Sequence, residues 1–521
     1  MVLLGLDYLS VIVAQDELST ALHTGGEGLF WIVNAYTISY AGALGVAGLL
    51  VAHYGRKPIF VGGLVVFLVG ALSAARAEAV AEASRIVLGL DSGQLIGLDG
   101  SLVLSLARSV QGLGAAALVS AALDRVLVFP GEKRDNAISI FSASQLLGFV
   151  LGPITGAVLL EAYGWPAIFV ALAAVTVVVL VAVLASQEPE KLPREGRVDW
   201  LGAVLFMASL SLLAYGMLNL AHHGVSTRAL ATTSVGAVAL AGFIVWELVC
   251  KSPGYDLSLL RNARLRVACV LHGAFWGSLV GTALLLGWYM LVGRKYPNLP
   301  PDQLVPLILE RGLDEDVPGG FGALDAGVLV LGLGVGAVPG VILAKLLKHR
   351  TRAVLATSSA LVVTANVWWS RVDLTTPKWA IFCSFVVCGA GVGAGITSVT
   401  RVAMSVAPHE EEGLSARERV EVRRKIASIS TMFRTSGQVG GAIGTLMMAT
   451  TGRLGYRIDE AVIAGLSESD QKAGRAGMVD AAIRARDTLN LDLYEAARRA
   501  YVPAMSHAML VGAAMAALCM A

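Results

Sequence analysis

The sequence predicts an all-α membrane protein, and three observations point to that fold class. Only 15% of its 521 residues are charged, whereas soluble domains carry about 25%. The mean hydropathy is high, at +0.70. Apolar stretches of membrane-spanning length recur about fourteen times. Lipid offers the backbone no hydrogen-bond partners, and the alternation that barrel strands need is absent, so these stretches are expected to be helices.

A helix needs about 20 apolar residues to cross the hydrocarbon core. Applied along the chain, this length predicts spans in the following order. They are Met1–Ala14 (short), Phe30–Ala52, Pro58–Ala75, Leu102–Val128, Ala137–Ala162, Trp165–Ala185, Leu201–His222, Leu230–Cys250, Val267–Gly293, Ala323–Leu347, Ala353–Ser370, Trp379–Ala407, Ser430–Gly452 and Pro503–Ala521.

Lysine and arginine concentrate in one set of alternate loops, which the positive-inside rule makes cytoplasmic. Its basic residues are Arg56, Lys57, Lys133, Arg134, Lys191, Arg194, Arg197, Lys251, Arg261, Arg264, Lys345, Lys348, Arg350, Arg352, Arg417, Arg419, Arg423, Arg424 and Lys425. An even number of spans then places both termini in the cytoplasm. The connections Arg76–Gly100 and Arg294–Gly322 are expected outside. The connection Arg453–Val502 is also expected outside. Its many arginines would favour the cytoplasm, but long loops have little influence on orientation.

Composition and motifs exclude several classes of function. The net charge of +2 gives no signature of a nucleic-acid partner. The five cysteines show no metal-ligand spacing, so we expect buried small hydrophobic side chains and no metal site. A phosphate-binding GxxxxGK[ST] motif is absent, which leaves ATP-driven pumping without support. No HExxH or CxxC pattern indicates an intramembrane enzyme.

The fourth span carries Arg108 and Gln111 inside an apolar stretch, and their spacing puts them on one face of a helix. A charge in hydrocarbon is costly unless it faces a cavity or a partner. Arg108 therefore either makes a structural contact between helices or faces a substrate or proton path. Asp7 is its natural partner, since burial disfavours the charge of Asp7 and a nearby arginine favours it. Alternatively, Asp7 is solvated at an interface, because its span is short.

Two glycine-containing motifs have both a structural and a functional interpretation. In Gly48–Lys57, Gly55 permits a tight turn, and Arg56 and Lys57 can meet helix carbonyls or lipid headgroups. This segment either marks topology or forms a gating latch between helices.

In the fifth span, Gly148, Gly152 and Gly156 form one smooth face for close packing, and Pro153 is expected to kink the helix. Packing alone and a mechanistic role both remain open. For the lone polar residues Glu247, His272 and Arg434, we expect structural contacts rather than function.

Together these features resemble the major facilitator superfamily, and in particular its fourteen-helix drug:proton antiporter family of the fungal drug-resistance type. The resemblance covers essentially the whole chain. Its motifs are LDYLSVIVA (Leu6–Ala14), FWIVNAYTISYAG (Phe30–Gly42), GLLVAHYGRK (Gly48–Lys57), LARSVQGLGAA (Leu106–Ala116), GFVLGPITG (Gly148–Gly156), VDWLG (Val198–Gly202) and MFRTSGQVGGAIG (Met432–Gly444). The motif Gly48–Lys57 departs from the family pattern at two positions. Ala52 stands where the family usually has an acidic residue, and His53 stands where it usually has a basic one.

The resemblance implies two six-helix bundles around a central cavity, with two extra helices between them. The expected domains are residues 1–190, 191–262 and 263–521. It also implies export of small amphipathic compounds or drugs in exchange for protons by alternating access. Asp7, Arg108 and Gln111 are then the coupling or substrate residues, Gly48, Gly55, Arg56 and Lys57 the gating loop, and Gly148, Gly152, Pro153 and Gly156 the antiporter motif. The energy source is the proton gradient without a cofactor. A monomer in the plasma membrane, or else the vacuolar membrane, is expected.

The sequence also allows functions other than drug export. An importer or symporter of a nutrient or siderophore is disfavoured by the fifth-helix motif, which by resemblance marks antiporters. A non-transporting receptor usually has a large soluble domain, and none is visible. The short first span and the end of the chain within an apolar stretch at Ala521 also allow a truncated pseudo-transporter.

Overall fold

The computed structural model describes residues 1–22, 24–88, 100–127, 131–186, 199–223, 226–251, 253–292, 323–373, 376–406, 416–488 and 490–518. Within these ranges the chain is helical and contains no strand. The helices of the first half are α1 (Val2–Val13), α2 (Gln15–Ala21), α3 (Gly26–Tyr54), α4 (Arg56–Ala75), α5 (Ala77–Leu88), α6 (Gly100–Leu127), α7 (Gly131–Tyr163), α8 (Pro166–Ala185), α9 (Trp200–His223) and α10 (Thr227–Val249).

The second half continues with nine further α-helices in the described ranges. They are α11 (Ala263–Val292), α12 (Ala323–Leu346), α13 (Thr351–Trp369), α14 (Lys378–Met404), α15 (Ala416–Gly455), α16 (Glu460–Ile463), α17 (Glu468–Ala476), α18 (Met478–Thr488) and α19 (Leu491–Ala517). Short 3₁₀ turns lie at Leu257–Arg261 and Lys348–Arg350. The predicted all-α class is confirmed.

Every expected span overlaps one of these helices, and the ends of four spans, at Val128, Gly293, Ala407 and residues 519–521, lie outside the described ranges. Ten helices of the described chain are long and apolar enough to cross a membrane. The other four differ for identifiable reasons. Helix α1 has only 12 residues, and the first half of α7 is interrupted by Ser139, Ser142, Ser144 and Gln145. Helix α13 is rich in Ser, Thr and Asn, and α15 begins with several charged turns.

The starts of three predicted spans differ from the starts of the helices. The reason is that hydropathy shows where the sequence is apolar and not where a helix begins. Helices α7 and α15 begin well before Ala137 and Ser430, in polar sequence. The last helix begins at Leu491 rather than at Pro503, and the Asn490 side chain caps it by accepting the Leu493 N–H at 3.1 Å.

Of the predicted loops, Arg453–Val502 is mostly helical, since it contains α16, α17 and α18. In Arg76–Gly100, helix α5 occupies part of the segment and residues 89–99 lie outside the described ranges. Nearly all of Arg294–Gly322 also lies outside them.

The helices pack as two bundles that meet along two seams. In the first bundle α6 packs against α3 and α4, α1 against α7, and α4 against α8. In the second, α12 packs on α14, α11 on α15, and α19 on α13 and α15. The seams are formed by α7 against α12 and by α3 against α15. The two extra helices, α9 and α10, pack on each other, and α9 lies along the α3–α15 seam.

Helix α7 contacts both bundles at backbone distance. A methyl group added to Gly148 would lie 2.3 Å from the Val2 carbonyl oxygen of α1, and one added to Gly156 would lie 2.8 Å from Ser10 Cβ. On its other side, a methyl on Gly327 of α12 would lie 2.7 Å from the Pro153 carbonyl oxygen. Small residues permit such approaches in lipid. The fifth-helix glycines therefore place α1, and with it Asp7, against α7.

We name the two ends of the bundles by their residues. The basic end carries Arg56 and Lys57, and the far end carries α16, α17 and α18. At the far end these short helices reach across to the first bundle, because Asp480 of α18 lies against the start of α3. A methyl on Gly25 would be only 2.2 Å from Asp480 Oδ1.

We expect Gly148→Val to separate α1 from α7. Overpacking of this kind costs about 1–3 kcal/mol, so the variant should melt several degrees below the wild type in detergent. Gly62→Val is the matched control, since a methyl at Gly62 of α4 meets no atom within 4 Å. Equal melting temperatures for the two variants would contradict the close contact.

The far-end helices should keep their packing at neutral pH and loosen only in strong acid. Burial raises the pKa of Asp470, but hydrogen bonds from Arg484 at 2.7 Å and Asn490 at 3.1 Å outweigh it, so the pKa lies below its usual value. A depressed pKa contributes stability above the unfolded value of about 3.9, which is lost as the pH falls through the folded value. Hydrogen exchange of residues 460–488 against pH measures this.

Arg484→Gln should bring the acid-induced rise in exchange to higher pH. Arg475→Gln is its control, because Arg475 pairs with Glu460 in a solvent-exposed ion pair, and such pairs contribute little. If both variants exchange alike, the Asp470 ion pair does not hold this segment.

Candidate functional site

A buried ion pair joins α1 to α6. Arg108 Nη1 donates a hydrogen bond to Asp7 Oδ1, and the two side chains are 2% and 0% exposed. Arg108 Nη1 also donates to Gln111 Oε1 at 3.1 Å. The structure therefore brings the three predicted polar residues together, and full burial of Asp7 rules out the solvated alternative.

The pair is not fully satisfied. Asp7 Oδ2, Arg108 Nε and Gln111 Nε2 are buried without a hydrogen-bond partner in the described structure. Removing one member of a buried ion pair typically costs about 3–5 kcal/mol, because the other charge is left uncompensated. The site therefore has free hydrogen-bonding capacity, and its stability is sensitive to the charge state of Asp7.

Aromatic rings connect this pair to the second bundle. The Arg108 guanidinium lies 4.5 Å from the centroid of the Tyr36 ring on α3. Tyr36 contacts Tyr8 at 6.2 Å, and Tyr8 contacts Trp276 of α11 edge-on at 5.9 Å. Such pairs contribute about 0.5–1.5 kcal/mol beyond their area. Packed rings therefore form a continuous chain of contacts from Arg108 to α11.

Trp276 is itself fixed by a histidine. Its Nε1–H donates to His272 Nε2 at 2.8 Å, and His272 Nδ1 lies 2.8 Å from the Phe433 carbonyl oxygen. Since Nε2 accepts, Nδ1 carries the proton and donates to that carbonyl, and the imidazole is neutral. The structural role expected for His272 agrees with these contacts.

Arg434 of the second bundle contacts α7 of the first bundle. From α15 of the second bundle, its Nη1 donates to Gln145 Oε1 of α7 at 3.1 Å. Its guanidinium lies 4.7 Å from the Phe141 ring centroid. Arg434 is a structural contact, as expected, and the contact spans the two bundles. Sequence spacing gave no sign of the partner helix.

The basic loop motif ties helices of the first bundle together. Gly55 has φ +90°, in the left-handed region that favours glycine. Arg56 forms an ion pair with Asp124 of α6, a carboxylate that the motif did not reveal. Lys57 Nζ donates to the Ser186 carbonyl oxygen at 2.5 Å, beyond the end of α8. Within this motif, Gly48 approaches the other bundle, since a methyl there would lie 2.9 Å from Thr431 Oγ1.

A cavity of about 700 Å³ opens between α3, α6 and α9, towards the far end. Its lining includes Trp31, Ser105, Tyr215 and Asp480. The volume falls within the range of about 300–1,000 Å³ that is typical of small-molecule sites. Asp7 and Arg108 do not line this cavity, so it lies beside their site. Across the described residues, no group of three or more His, Cys, Asp or Glu side chains is placed to hold a metal ion.

Two solved structures share this architecture. A bacterial homologue of the human drug peptide transporters PepT1 and PepT2 aligns with a TM-score of 0.52 at 12% identity, covering 100% of this chain and 95% of that one. The nucleoside transporter NupG (D323A mutant) also gives 0.52, at 9% identity and covering 100% and 98%. At these identities the likeness concerns the fold alone.

Curated relatives come from bacteria. Multidrug resistance protein Stp of Mycobacterium tuberculosis (strain CDC 1551 / Oshkosh) is 26% identical over 79% of this chain and 69% of its own length. Cephamycin export protein CmcT of Amycolatopsis lactamdurans is 27% identical, over 84% and 80%. A probable actinorhodin transporter of Streptomyces coelicolor (strain ATCC BAA-471 / A3(2) / M145) is 26% identical, over 89% and 72%.

A family model described as Major Facilitator Superfamily matches residues 1–445. This match includes both seams and the Asp7–Arg108 ion pair. The chain therefore belongs to the Major Facilitator Superfamily and is a transporter rather than an enzyme.

Proposed function

We propose that this transporter exports drugs or other small amphipathic compounds in exchange for protons, by alternating access. The observation that carries the proposal is the buried Asp7–Arg108 pair, which touches the second bundle through Tyr36, Tyr8 and Trp276. The names of the bacterial relatives, which include multidrug resistance and export proteins, support the direction of transport. Membership of the fourteen-helix antiporter family, and of its fungal branch, stays a prediction.

Asp7 is the proton acceptor in this mechanism. While it is ionised, its attraction to Arg108 holds α1 against α6, and the low dielectric of the interior strengthens that attraction. A proton on Asp7 removes one charge of the pair, and Arg108 then keeps Gln111 and the face of Tyr36. The shift of Arg108 moves the Tyr36 and Tyr8 rings, and their contact with Trp276 weakens.

The substrate binds between the two bundles. There the rings of Tyr8 on α1, Phe149 on α7 and Trp276 on α11 meet, with centroids 5.6–6.1 Å apart. Aromatic surface beside a buried ion pair suits an amphipathic compound with a large apolar part and few polar groups. The basic end faces the cytoplasm in this proposal, both termini lie there, and the protein works as a monomer in the plasma membrane on the proton gradient without a cofactor.

Asp7→Asn and Arg108→Ala should each abolish substrate-induced proton release. The assay uses inside-out vesicles with an acidic lumen and a panel of dyes and xenobiotics, because antiport drives protons out as substrate enters. Asp325→Asn is the control, since Asp325 forms a solvent-exposed ion pair with Lys378 and should release protons like the wild type. Wild-type release by both single variants would overturn the assignment.

A double variant separates coupling from folding. Asp7→Asn alone leaves Arg108 buried and unpaired, a loss of about 3–5 kcal/mol in stability. Adding Arg108→Gln removes that charge, so the melting temperature should recover while proton release stays lost. Recovery of release together with stability would show that Asp7 acts only in folding.

A further inference from the structure

A second pair of buried carboxyl groups lies where the two extra helices meet. Asp199 immediately precedes α9 and is 5% exposed, and Glu247 lies in the last turn of α10 and is 4% exposed. Asp199 Oδ1 accepts hydrogen bonds from the Gly202 N–H at 2.9 Å and from Trp246 Nε1 at 2.8 Å. Glu247 Oε2 accepts the Tyr255 N–H at 3.0 Å. Each carboxyl group thus uses one oxygen.

The remaining two oxygens face each other. Asp199 Oδ2 and Glu247 Oε1 are both buried without a hydrogen-bond partner in the described structure. A methyl group placed on Gly202 would lie 2.4 Å from the first and 2.7 Å from the second. Both oxygens therefore converge on one point, beside a glycine that leaves room for them.

No cation compensates this pair in the part of the chain that the structure describes. The titratable groups that act on Glu247 besides Asp199 are Asp256 and the Tyr255 phenol, from the turn after α10, and neither supplies positive charge. Helix α3 approaches this turn with its backbone at Gly45, since a methyl on Gly254 would lie 3.6 Å from Gly45 Cα and 3.7 Å from Glu247 Oε1. Two carboxylates that converge in a buried site cannot both be ionised.

We propose that Asp199 and Glu247 form a second proton-binding site, in which one shared proton bridges Oδ2 and Oε1. A shared proton satisfies both orphaned oxygens with one hydrogen bond and removes one of two buried like charges. A divalent metal fits less well, because Ca²⁺ takes six to eight oxygen ligands and the site offers two free carboxyl oxygens.

The site is joined to the α3–α15 seam through Tyr255, whose N–H is held by Glu247. The Tyr255 hydroxyl donates to the Ala41 carbonyl oxygen at 2.6 Å and accepts the Gly45 N–H at 3.0 Å. In a regular helix that N–H bonds to the Ala41 carbonyl, so the hydroxyl contacts both partners of one backbone step of α3. Phe206 and Phe243 hold the ring at 5.2 and 5.7 Å.

Release of the shared proton leaves two buried negative charges, which repel each other and pull the turn that carries Tyr255. Tyr255 is thus a positioning residue that transmits the protonation state to the Ala41–Gly45 turn of α3. The link to transport rests on the proposed function, whereas the proton-binding site does not.

Infrared spectroscopy of the purified full-length protein tests the site directly, through the carbonyl absorption of protonated carboxyl groups at neutral pH. Asp199→Asn and Glu247→Gln should each remove the same component, because one proton serves both groups. Asp256→Asn, at the neighbouring carboxylate, and Asp7→Asn should leave it in place. The proposal is overturned if the infrared component persists in both Asp199→Asn and Glu247→Gln, or if only Asp7→Asn removes it.

A thermal measurement guards against a variant that folds poorly. The folded wild type holds a proton that the unfolded chain releases, so its melting temperature should fall as the pH rises through neutrality. Both amide variants mimic the protonated pair, and their melting temperatures should depend less on pH. An unchanged pH dependence in both variants counts against the site.

Tyr255→Phe separates the proton site from its transmission. The hydroxyl leaves the α3 ladder, so substrate-induced proton release should slow while the infrared component stays. Release at the wild-type rate overturns the role of Tyr255. If the wild type itself releases no protons with any compound, the proposed function fails, and the infrared result still decides whether the second site exists.

Discussion

The structure depends on the need to neutralise charge inside an apolar bundle. An isolated charge in hydrocarbon costs several kcal/mol, so Arg108 can occupy α6 only because Asp7 reaches it from α1. That reach depends on the glycine face of α7, where Gly148 lets the α1 backbone approach within contact distance. The glycine face of α7 and the acidic residue of the first helix thus form one unit, since the glycines set the position from which Asp7 pairs with Arg108.

Close backbone contact also explains how two seams hold the two bundles together with few hydrogen bonds between them. At the seams, α7 meets α12 at Pro153 and Gly327, and α3 meets α15 at Gly48 and Thr431. Contacts of this kind rest on van der Waals packing of small residues, not on directional bonds that must be broken. Hydrogen bonds add direction, since Arg434 donates to Gln145 and the Leu324 N–H of α12 donates to Glu161 Oε1 of α7 at 2.9 Å. Separation of the α7–α12 seam therefore requires the loss of the Leu324–Glu161 bond, whereas the contact of Gly327 with Pro153 parts without breaking a hydrogen bond.

The sequence predicted what local patterns encode and missed what depends on the partner helix. The all-α class follows from composition, and the pairing of Arg108 with Gln111 from helical spacing. The pairing with Asp7 follows from the opposing effects of burial, which disfavours its charge, and of a nearby arginine, which favours it. Asp124 was missed as the partner of Arg56, because the two lie 68 positions apart and only the packing of α4 on α6 brings them together. The start of α19 was missed because its first turns are polar.

Helix α3 contacts both buried charged sites and also forms the α3–α15 seam. Along its length, Tyr36 carries the guanidinium of Arg108, the Ala41–Gly45 turn receives the Tyr255 hydroxyl, and Gly48 touches α15. The Tyr255 hydroxyl contacts the Ala41 carbonyl and the Gly45 N–H together, so both backbone groups keep a partner if this turn of α3 lengthens. The turn lies between Tyr36, which contacts the ion pair, and Gly48, which contacts α15. Charge at the ion pair and charge beside Tyr255 therefore act on the same stretch of α3, the stretch that forms the seam.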